Sequence, residues 1–215
     1  MAQDIQAVIW DFGGVISSSP FESFSRFERE RGLPPDFLRR VNAANHHDNA
    51  WARFERNETD LQGFDQAFAD ECAVLGQAVR GREVIELLGG TIRPAMVEAL
   101  RRLRPRLKIG LITNNVASPD SAALNPTGRD EVLTLFHAVI ESSKAGVRKP
   151  DPAIYQMMCD ALGVAPQYAV FLDDLGVNLK PARQMGMHTI KVGDPGLALQ
   201  QLEALVGFAL HDRAA

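Results

Sequence analysis

Apolar residues occur in two different patterns along this chain, and the change of pattern divides the sequence into a helical part and a part in which strands and helices alternate. The short apolar run Val8–Trp10 has the length and composition of a buried strand. From about residue 20, apolar side chains recur every three or four positions, as at Phe21, Phe24 and Phe27, which predicts consecutive helices. After about residue 106, short apolar runs alternate with helical periods. That alternation is typical of a parallel sheet with helices on both faces.

The predicted elements can be placed from capping residues and chain breakers. Ser19, Pro20 and Glu22 match a capping box, so the first helix is predicted to begin at Ser19. Further helices are predicted over 37–44, 49–56, 61–75, 82–88 and 94–104. The later strands are predicted over 107–112, 138–141, 168–172 and 188–192, with helices over 151–162, 178–185 and 195–206.

The helical stretch between the first and second strands is about 90 residues long, far beyond an ordinary connection. We therefore expect a helical insertion over residues 17–90. Residues 1–16 and 91–215 are expected to form an α/β core, a Rossmann-like, doubly wound parallel sheet. The sequence contains no internal repeat and no low-complexity linker.

Composition narrows the class of protein. The chain has 215 residues, of which 46% are hydrophobic and 23% charged, as in an ordinary globular protein. A formal net charge of -4 argues against nucleic acid as a partner, and no apolar run approaches a membrane span. We expect no secretory signal and a cytoplasmic location. Cys72 and Cys159 are isolated and are expected to be buried thiols, and nothing indicates an oligomeric state.

Polar residues close the predicted strands, and in a parallel sheet these ends meet at one edge. The residues at these ends are Asp11, Thr113 with Asn114, Lys149, and Asp173 with Asp174. Three carboxylates held together repel one another, and a hard divalent cation such as Mg²⁺ removes that repulsion. Lys149 and the Thr113 hydroxyl supply donors for a phosphate group. Gly13 and Gly14, directly after Asp11, let backbone N–H groups approach an anion.

Four motifs in this order resemble the haloacid dehalogenase superfamily. They are Asp11-Phe12-Gly13-Gly14-Val15, Thr113 in LITNN, Lys149 in GVRKPDPAIY, and Asp173-Asp174 in VFLDDLGVNLKPARQMGMHTI. The sequences of the third and fourth motifs are most similar to those of the subfamily IA branch, which contains the N-terminal phosphatase domain of soluble epoxide hydrolase and bacterial sugar-phosphate phosphatases. The resemblance covers nearly the whole chain, and it implies that the helical insertion is a cap over a Rossmann-like core.

The resemblance also implies a mechanism and a cofactor. Asp11 would attack phosphorus of a small phosphorylated substrate and form an aspartyl-phosphate, which water then hydrolyses. Mg²⁺ would be held by Asp11, the Gly13 carbonyl and Asp174, with Asp173 nearby or acting through water. Lys149 would neutralise phosphoryl charge, and Thr113 and the Asn114 backbone would hold the phosphate oxygens. Lys144 and Arg148 are alternative phosphate cations in the same loop.

Gly13 departs from the family pattern, which places an acid/base aspartate there in most phosphatases. Its loss removes general acid/base catalysis, so we expect a substrate with a good leaving group or a replacement acid from the cap or water. His46, His47 and Glu58 are the cap candidates. The alternatives are a 2-haloacid dehalogenase, which also lacks that aspartate, and a non-catalytic protein that binds a phosphorylated ligand.

Two further clusters are interpreted without a function. His46 and His47 are adjacent, so on a helix their side chains would point about 100° apart and would not share a metal ion. The arginines at positions 101, 102, 104 and 106 are interpreted as a solvated helical face, because the chain is acidic overall.

Overall fold

Five strands form one parallel sheet in the computed structural model, which describes residues 4–116 and 128–210. The strands are β1 Ala7–Trp10, β2 Lys108–Thr113, β3 Ala138–Glu141, β4 Ala169–Asp173 and β5 His188–Lys191. Their order across the sheet is β3-β2-β1-β4-β5, so β1 lies at the centre. Val8 pairs with Ile109 on one side and with Val170 on the other. The predicted α/β class and parallel sheet are confirmed.

Helices fill the long connection after β1 and cover both faces of the sheet. Those between β1 and β2 are α1 Phe21–Glu30, α2 Phe37–Ala43, α3 Ala50–Glu55, α4 Leu61–Val74, α5 Gly81–Ile85 and α6 Pro94–Leu103. Those after β2 are α7 Arg129–Leu133, α8 Ser142–Ala145, α9 Pro152–Leu162, α10 Gly176–Gln184 and α11 Pro195–Val206. No helix in the described part of the chain is both long enough and apolar enough to cross a membrane.

The central strand is apolar on both faces because both faces are covered. Val8 and Trp10 pack with α6 and α11 in one hydrophobic cluster, whereas Ile9 packs with α9 and α10 in another. This division follows from the two-residue period of a strand. Burial of the whole strand leaves its C-terminal end, where Asp11 lies, as the place where a polar side chain can reach a ligand.

Helices α1–α5 have a hydrophobic cluster of their own. Phe37, Phe54, Phe64 and Phe68 are fully buried in it, and the Phe54 and Phe64 rings stack with centroids 4.5 Å apart. Two antiparallel segments join these helices to the sheet: the Ser18 N–H donates to the Thr91 carbonyl at 2.9 Å. The helical insertion is therefore packed as a separate unit and tied to the core by paired backbone segments.

Most predicted elements occur within two residues of the expected bounds, but Ser19 is not the N-cap of the first helix. Pro20 occupies the N-cap of α1 and makes no side-chain cap, so the helix begins at Phe21. The Ser19 hydroxyl accepts a hydrogen bond from the Phe21 N–H at 3.5 Å and donates to Asp174 Oδ2 at 3.4 Å. The first contact is local, whereas the second joins residues 155 positions apart and could not be predicted from local spacing. The expected loop at Lys144 contains the short helix α8, and both cysteines are buried free thiols as predicted.

Candidate active site

Three carboxylates meet at the C-terminal edge of the sheet. Asp11 follows β1, and its N–H extends the ladder by donating to the Leu172 carbonyl at 2.9 Å. Asp173 is the last residue of β4, and Asp174 follows it. Ligand oxygens of all three lie within 4.8 Å of one another. The parallel sheet thus brings together the carboxylates that the sequence predicted.

Lys149 lies between two of these carboxylates. Its ammonium nitrogen is 2.7 Å from Asp11 Oδ1 and 2.7 Å from Asp173 Oδ2, and its side chain is only 1% exposed. Burial of an ammonium disfavours its charge, but Asp11 and Asp173 overcome that effect and raise the pKa of Lys149. Lys149 is therefore held as a cation, next to the predicted nucleophile.

Burial raises the pKa of Asp11 to about 7, the charge of Asp173 adds to the increase, and Lys149 opposes it. Burial likewise raises the pKa of Asp174 to about 6, with Asp173 contributing and Lys149 again opposing. One ammonium does not balance three carboxylates. A dication bound by oxygen atoms would complete the charge balance, so the donor set fits Mg²⁺.

Asp173 and Asp174 differ in the donors that they already accept. Asp173 accepts hydrogen bonds from the Leu175 N–H at 2.8 Å and from Asn178 Nδ2 at 3.0 and 3.1 Å, in addition to Lys149. Asp174 accepts the longer hydrogen bond from Ser19 at 3.4 Å. Asp173 is thus fixed by protein donors, and Asp174 has more capacity left for a metal ion.

The turn after Asp11 distinguishes its two glycines. Gly14 has φ of 77°, and a Cβ atom there would collide with the Asp174 carboxylate. Gly13 has φ of -70°, and a Cβ atom there would have no neighbour within 4 Å. Arg93, which the sequence analysis did not single out, donates to the Gly14 carbonyl at 2.6 Å and the Val15 carbonyl at 3.1 Å. The positive φ and the nearby Asp174 carboxylate require glycine at position 14, whereas position 13 could hold a residue with a side chain.

Asn114 contributes in a way that the sequence did not predict. Its side chain accepts from the Lys149 N–H at 2.9 Å and donates to the Lys149 carbonyl at 3.0 Å. The Asn114 side-chain amide therefore holds the Lys149 backbone. This leaves the Asn114 backbone for the expected contact with a phosphate oxygen. Thr113, at the end of β2, is 7% exposed and lines the cavity described below.

The alternative cations of the same loop have other partners. Lys144 pairs with Glu141. Arg148 lies 2.6 Å from Glu55 on α3 and donates to the His46 carbonyl at 3.0 Å. Lys149 is thus the loop cation beside Asp11, and Arg148 connects the loop to the helical insertion.

A cavity of about 700 Å³ lies between the sheet edge and the helical insertion. Its described lining includes Asp11, Thr113, Lys149 and Asp174. The insertion contributes, among others, Phe21, Phe24, Arg39, His46, Trp51 and Glu55. The carboxylate cluster therefore faces a cavity that the helical insertion covers, and the volume of this cavity suits a small ligand.

Of the three cap residues suggested as proton donors, one lines this cavity. His46 is among its described lining residues, and His47 and Glu58 are not. Glu58 pairs with Arg56 at 2.6 Å, and the hydrogen bond from Arg56 lowers the pKa of Glu58, so it is held as a carboxylate. The His46 and His47 rings lie 3.9 Å apart and tilted. Glu55 is a buried cavity residue that the sequence analysis missed, because its partner Arg148 is distant along the chain.

Comparisons with known proteins find a family model, similar sequences and a shared fold. Residues 5–186 match the family model described as haloacid dehalogenase-like hydrolase. Acyl-CoA dehydrogenase family member 10 of Mus musculus is 34% identical over 212 residues, covering 96% of this chain and 20% of that protein. Bifunctional epoxide hydrolase 2 of Sus scrofa is 31% identical over 220 residues, covering 96% and 40% respectively. The chain thus spans less than half the length of these two relatives.

Two further similarities cover most of both proteins. Phosphorylated carbohydrates phosphatase of Thermotoga maritima is 26% identical over 194 residues, covering 86% of this chain and 84% of that protein. A HAD family enzyme of Bacteroides thetaiotaomicron, solved in complex with magnesium and inorganic phosphate, superposes with a TM-score of 0.61 at 18% identity. That comparison covers 88% of this chain and 96% of the other, and it shows that the fold is shared.

The two glycines of the turn allow a matched test. We expect Gly14→Ala to lower the free energy of unfolding by about 1–3 kcal/mol, because its φ is strained for alanine and the Asp174 carboxylate must move. Gly13→Ala is expected to be neutral or to stabilise by up to about 1 kcal/mol, because it fits without contact and restricts the unfolded chain. Urea unfolding of both variants measures the difference. Equal effects would contradict the geometry described for Gly14.

Proposed function

This chain belongs to the haloacid dehalogenase-like hydrolase family, and from that premise we propose that it is a Mg²⁺-dependent phosphomonoester hydrolase acting through Asp11. Small phosphorylated metabolites, sugar phosphates among them, are the proposed substrates. The observation that carries the proposal is the cluster of Asp11, Asp173 and Asp174 around the buried ammonium of Lys149. The cluster combines a nucleophile, oxygen ligands for a hard cation and a fixed positive charge in one place.

Asp11, Asp174 and the Gly13 carbonyl are the proposed metal ligands, with Asp173 acting mainly by holding Lys149. The donors that Asp173 already accepts support this division of roles. Bound Mg²⁺ would supply positive charge that lets an anionic phosphate approach the anionic nucleophile. Burial, with the charge of Asp173 adding to it, raises the pKa values of Asp11 and Asp174, and a bound cation would favour the charged form of both carboxylates.

In the proposed reaction, an Asp11 oxygen forms a bond to phosphorus while the bond from phosphorus to the ester oxygen breaks. Lys149 orients the other Asp11 oxygen and neutralises charge on the transferred group. Thr113 and the Asn114 backbone hold phosphoryl oxygens at the neighbouring strand end. Water then attacks phosphorus of the acyl phosphate, which releases phosphate and restores the Asp11 carboxylate.

The leaving oxygen needs a proton when it belongs to an alkyl alcohol, and Gly13 has no side chain to supply one. His46 is the cap candidate that lines the cavity. A leaving group of low pKa, such as the anomeric oxygen of a sugar 1-phosphate, reduces the need for a donor. We propose that the enzyme favours such leaving groups.

Two alternatives make different use of the same pocket. A dehalogenase attacks carbon, and a cluster of three carboxylates gives it no advantage, so the cluster favours phosphoryl transfer. A non-catalytic phospho-ligand protein would explain Gly13, but it would not need a nucleophile held against a buried lysine.

Substitution of Asp11 tests its proposed role as the nucleophile. We expect the wild-type chain to release phosphate from a panel of phosphomonoesters only with Mg²⁺, and Asp11→Asn to lose at least about 1,000-fold of the rate, since covalent catalysis is removed. Asp160→Asn, an exposed residue on α9, is the matched control and should retain full activity. Chloride release from 2-chloropropionate without metal would indicate a dehalogenase instead. Ligand-dependent thermal stabilisation without any turnover would indicate a binding protein.

Stability and Mg²⁺ affinity should both depend on pH. Because the folded-state pKa of Asp11 is raised from 3.8 to about 7 and that of Asp174 to about 6, the folded protein binds more protons than the unfolded chain in this range. The metal-free protein should therefore lose stability as pH rises from about 4 through 7. Protons compete with Mg²⁺ for the oxygens of both carboxylates, so the affinity for Mg²⁺ should be about a hundredfold weaker at pH 5.5 than at pH 8.

Thermal unfolding with a series of Mg²⁺ concentrations at both pH values measures these effects. The Asp11→Asn variant is the control, and its affinity should vary less with pH because one of the titrating ligands is gone. An affinity that is the same at both pH values would contradict metal binding by these carboxylates.

Substitution of Gly13 by aspartate tests whether the enzyme lacks a proton donor. We expect Gly13→Asp to accelerate hydrolysis of alkyl phosphates by about tenfold or more and of aryl phosphates much less, because only the alkoxide requires protonation. The backbone accepts the change, since φ is -70° and the added Cβ has no neighbour within 4 Å. Gly13→Asn has a similar shape without the acid and is the control. No acceleration, or an equal effect on both ester classes, would mean that another group already supplies the proton.

A further inference from the structure

Four cationic side chains line the cavity in the described part of the chain, and three of them contact carboxylates at 3.1 Å or less. They are Arg39, Arg129, Arg148 and Lys149. Lys149 contacts Asp11 and Asp173 at 2.7 Å. Arg129 lies 3.1 Å from Glu141, and Arg148 lies 2.6 Å from Glu55. Lys149 and Arg148 are thus paired with buried carboxylates, and Arg129 is paired with a carboxylate that Lys144 also contacts.

Arg39, on α2 of the helical insertion, has a different environment. Its ionic contact within the described residues is with Asp36, at 3.5 Å, where the two side chains are 50% and 63% exposed. An exposed pair at that distance contributes little and is screened by salt. Arg39 therefore presents a nearly uncompensated charge to the cavity.

Phe21 fixes the position of that charge. The Arg39 guanidinium carbon lies 4.0 Å from the centroid of the Phe21 ring, which also lines the cavity. Phe21 in turn packs edge to face against the buried Phe24, with centroids 5.9 Å apart. Stacking on a ring covers one face of a guanidinium and leaves the N–H groups at its edge free, in the fork geometry that matches an anion.

We propose that Arg39 binds a second anionic group of the substrate, a carboxylate or a further phosphate, at the end of the ligand away from the scissile ester. The inference rests on the proposed function, because it assigns the phosphoryl group to the Asp11 and Lys149 end of the same cavity. The substrates would then be phosphomonoesters that carry a second negative charge. Arg39 is a specificity-determining residue in this account and takes no part in bond breaking.

The test compares ligands that differ in a single charge. Alkyl phosphates of increasing chain length are prepared with a terminal carboxylate, a terminal phosphate or a terminal carboxamide, the last being neutral and of similar shape to the carboxylate. Dissociation constants are measured by calorimetry with Mg²⁺ on the full chain carrying Asp11→Asn, which prevents turnover. The carboxylate or bisphosphate series should bind about tenfold more tightly than the carboxamide series at the best chain length.

Three further variants in the same background isolate Arg39. Arg39→Gln should bring the ratio of the two dissociation constants close to one, and Arg39→Lys should keep part of it, since it retains charge but loses the fork. Arg40→Gln is the matched control, because it is the next residue of α2, is exposed and is not among the lining residues, and it should keep the full ratio. The charged series that binds more tightly identifies the second anion.

The outcomes separate this inference from the proposed function. A ratio that Arg39→Gln leaves unchanged, equal binding of charged and neutral ligands at every length, or no binding at all would overturn the role of Arg39. If the ratio depends on Arg39 but wild-type protein releases no phosphate from any of these ligands, the role of Arg39 is supported and the proposed hydrolysis is wrong.

Discussion

The contact between the Lys149 ammonium and the carboxylates of Asp11 and Asp173 is the interaction on which the site depends. Each distance is 2.7 Å, and the ammonium has almost no contact with solvent. A buried charge without partners would be strongly destabilising, so the lysine requires both carboxylates. The carboxylates in turn remain close together because the lysine lies between them, and their residual negative charge makes the cluster suitable for a cation.

The loop that carries Lys149 also connects the two halves of the molecule. Lys149 contacts the sheet edge, whereas the preceding residue, Arg148, contacts Glu55 and the His46 carbonyl on the helical insertion. Asn114 fixes the same loop from β2 through two hydrogen bonds to the Lys149 backbone. A change in the position of the insertion would therefore act on the loop that holds the site's central cation.

The sequence predicted the fold and the residues that meet at the edge of the sheet because both follow from local rules. Apolar runs of strand length, each followed by a polar residue, place Asp11, Thr113 and Asp173 at one edge once the sheet is parallel. Contacts between distant residues were not predictable in this way. Ser19 has the sequence context of a helix cap and contacts Asp174, and the pairing of Glu55 with Arg148 joins residues 93 positions apart on separately packed units. The roles of Gly13 and Gly14 also required backbone dihedral angles, since both were glycines of one turn in the sequence.

The central claim is that Asp11 accepts the phosphoryl group, and a direct measurement is to trap it. Wild-type protein turning over a phosphomonoester with Mg²⁺ is quenched rapidly in acid, reduced with borohydride and mapped by peptide mass spectrometry. An aspartyl-phosphate is reduced to homoserine, so the account predicts homoserine at Asp11 that depends on both substrate and Mg²⁺. Release of phosphate with an unmodified Asp11 peptide throughout the reaction, or with the modification at another carboxylate, would contradict it.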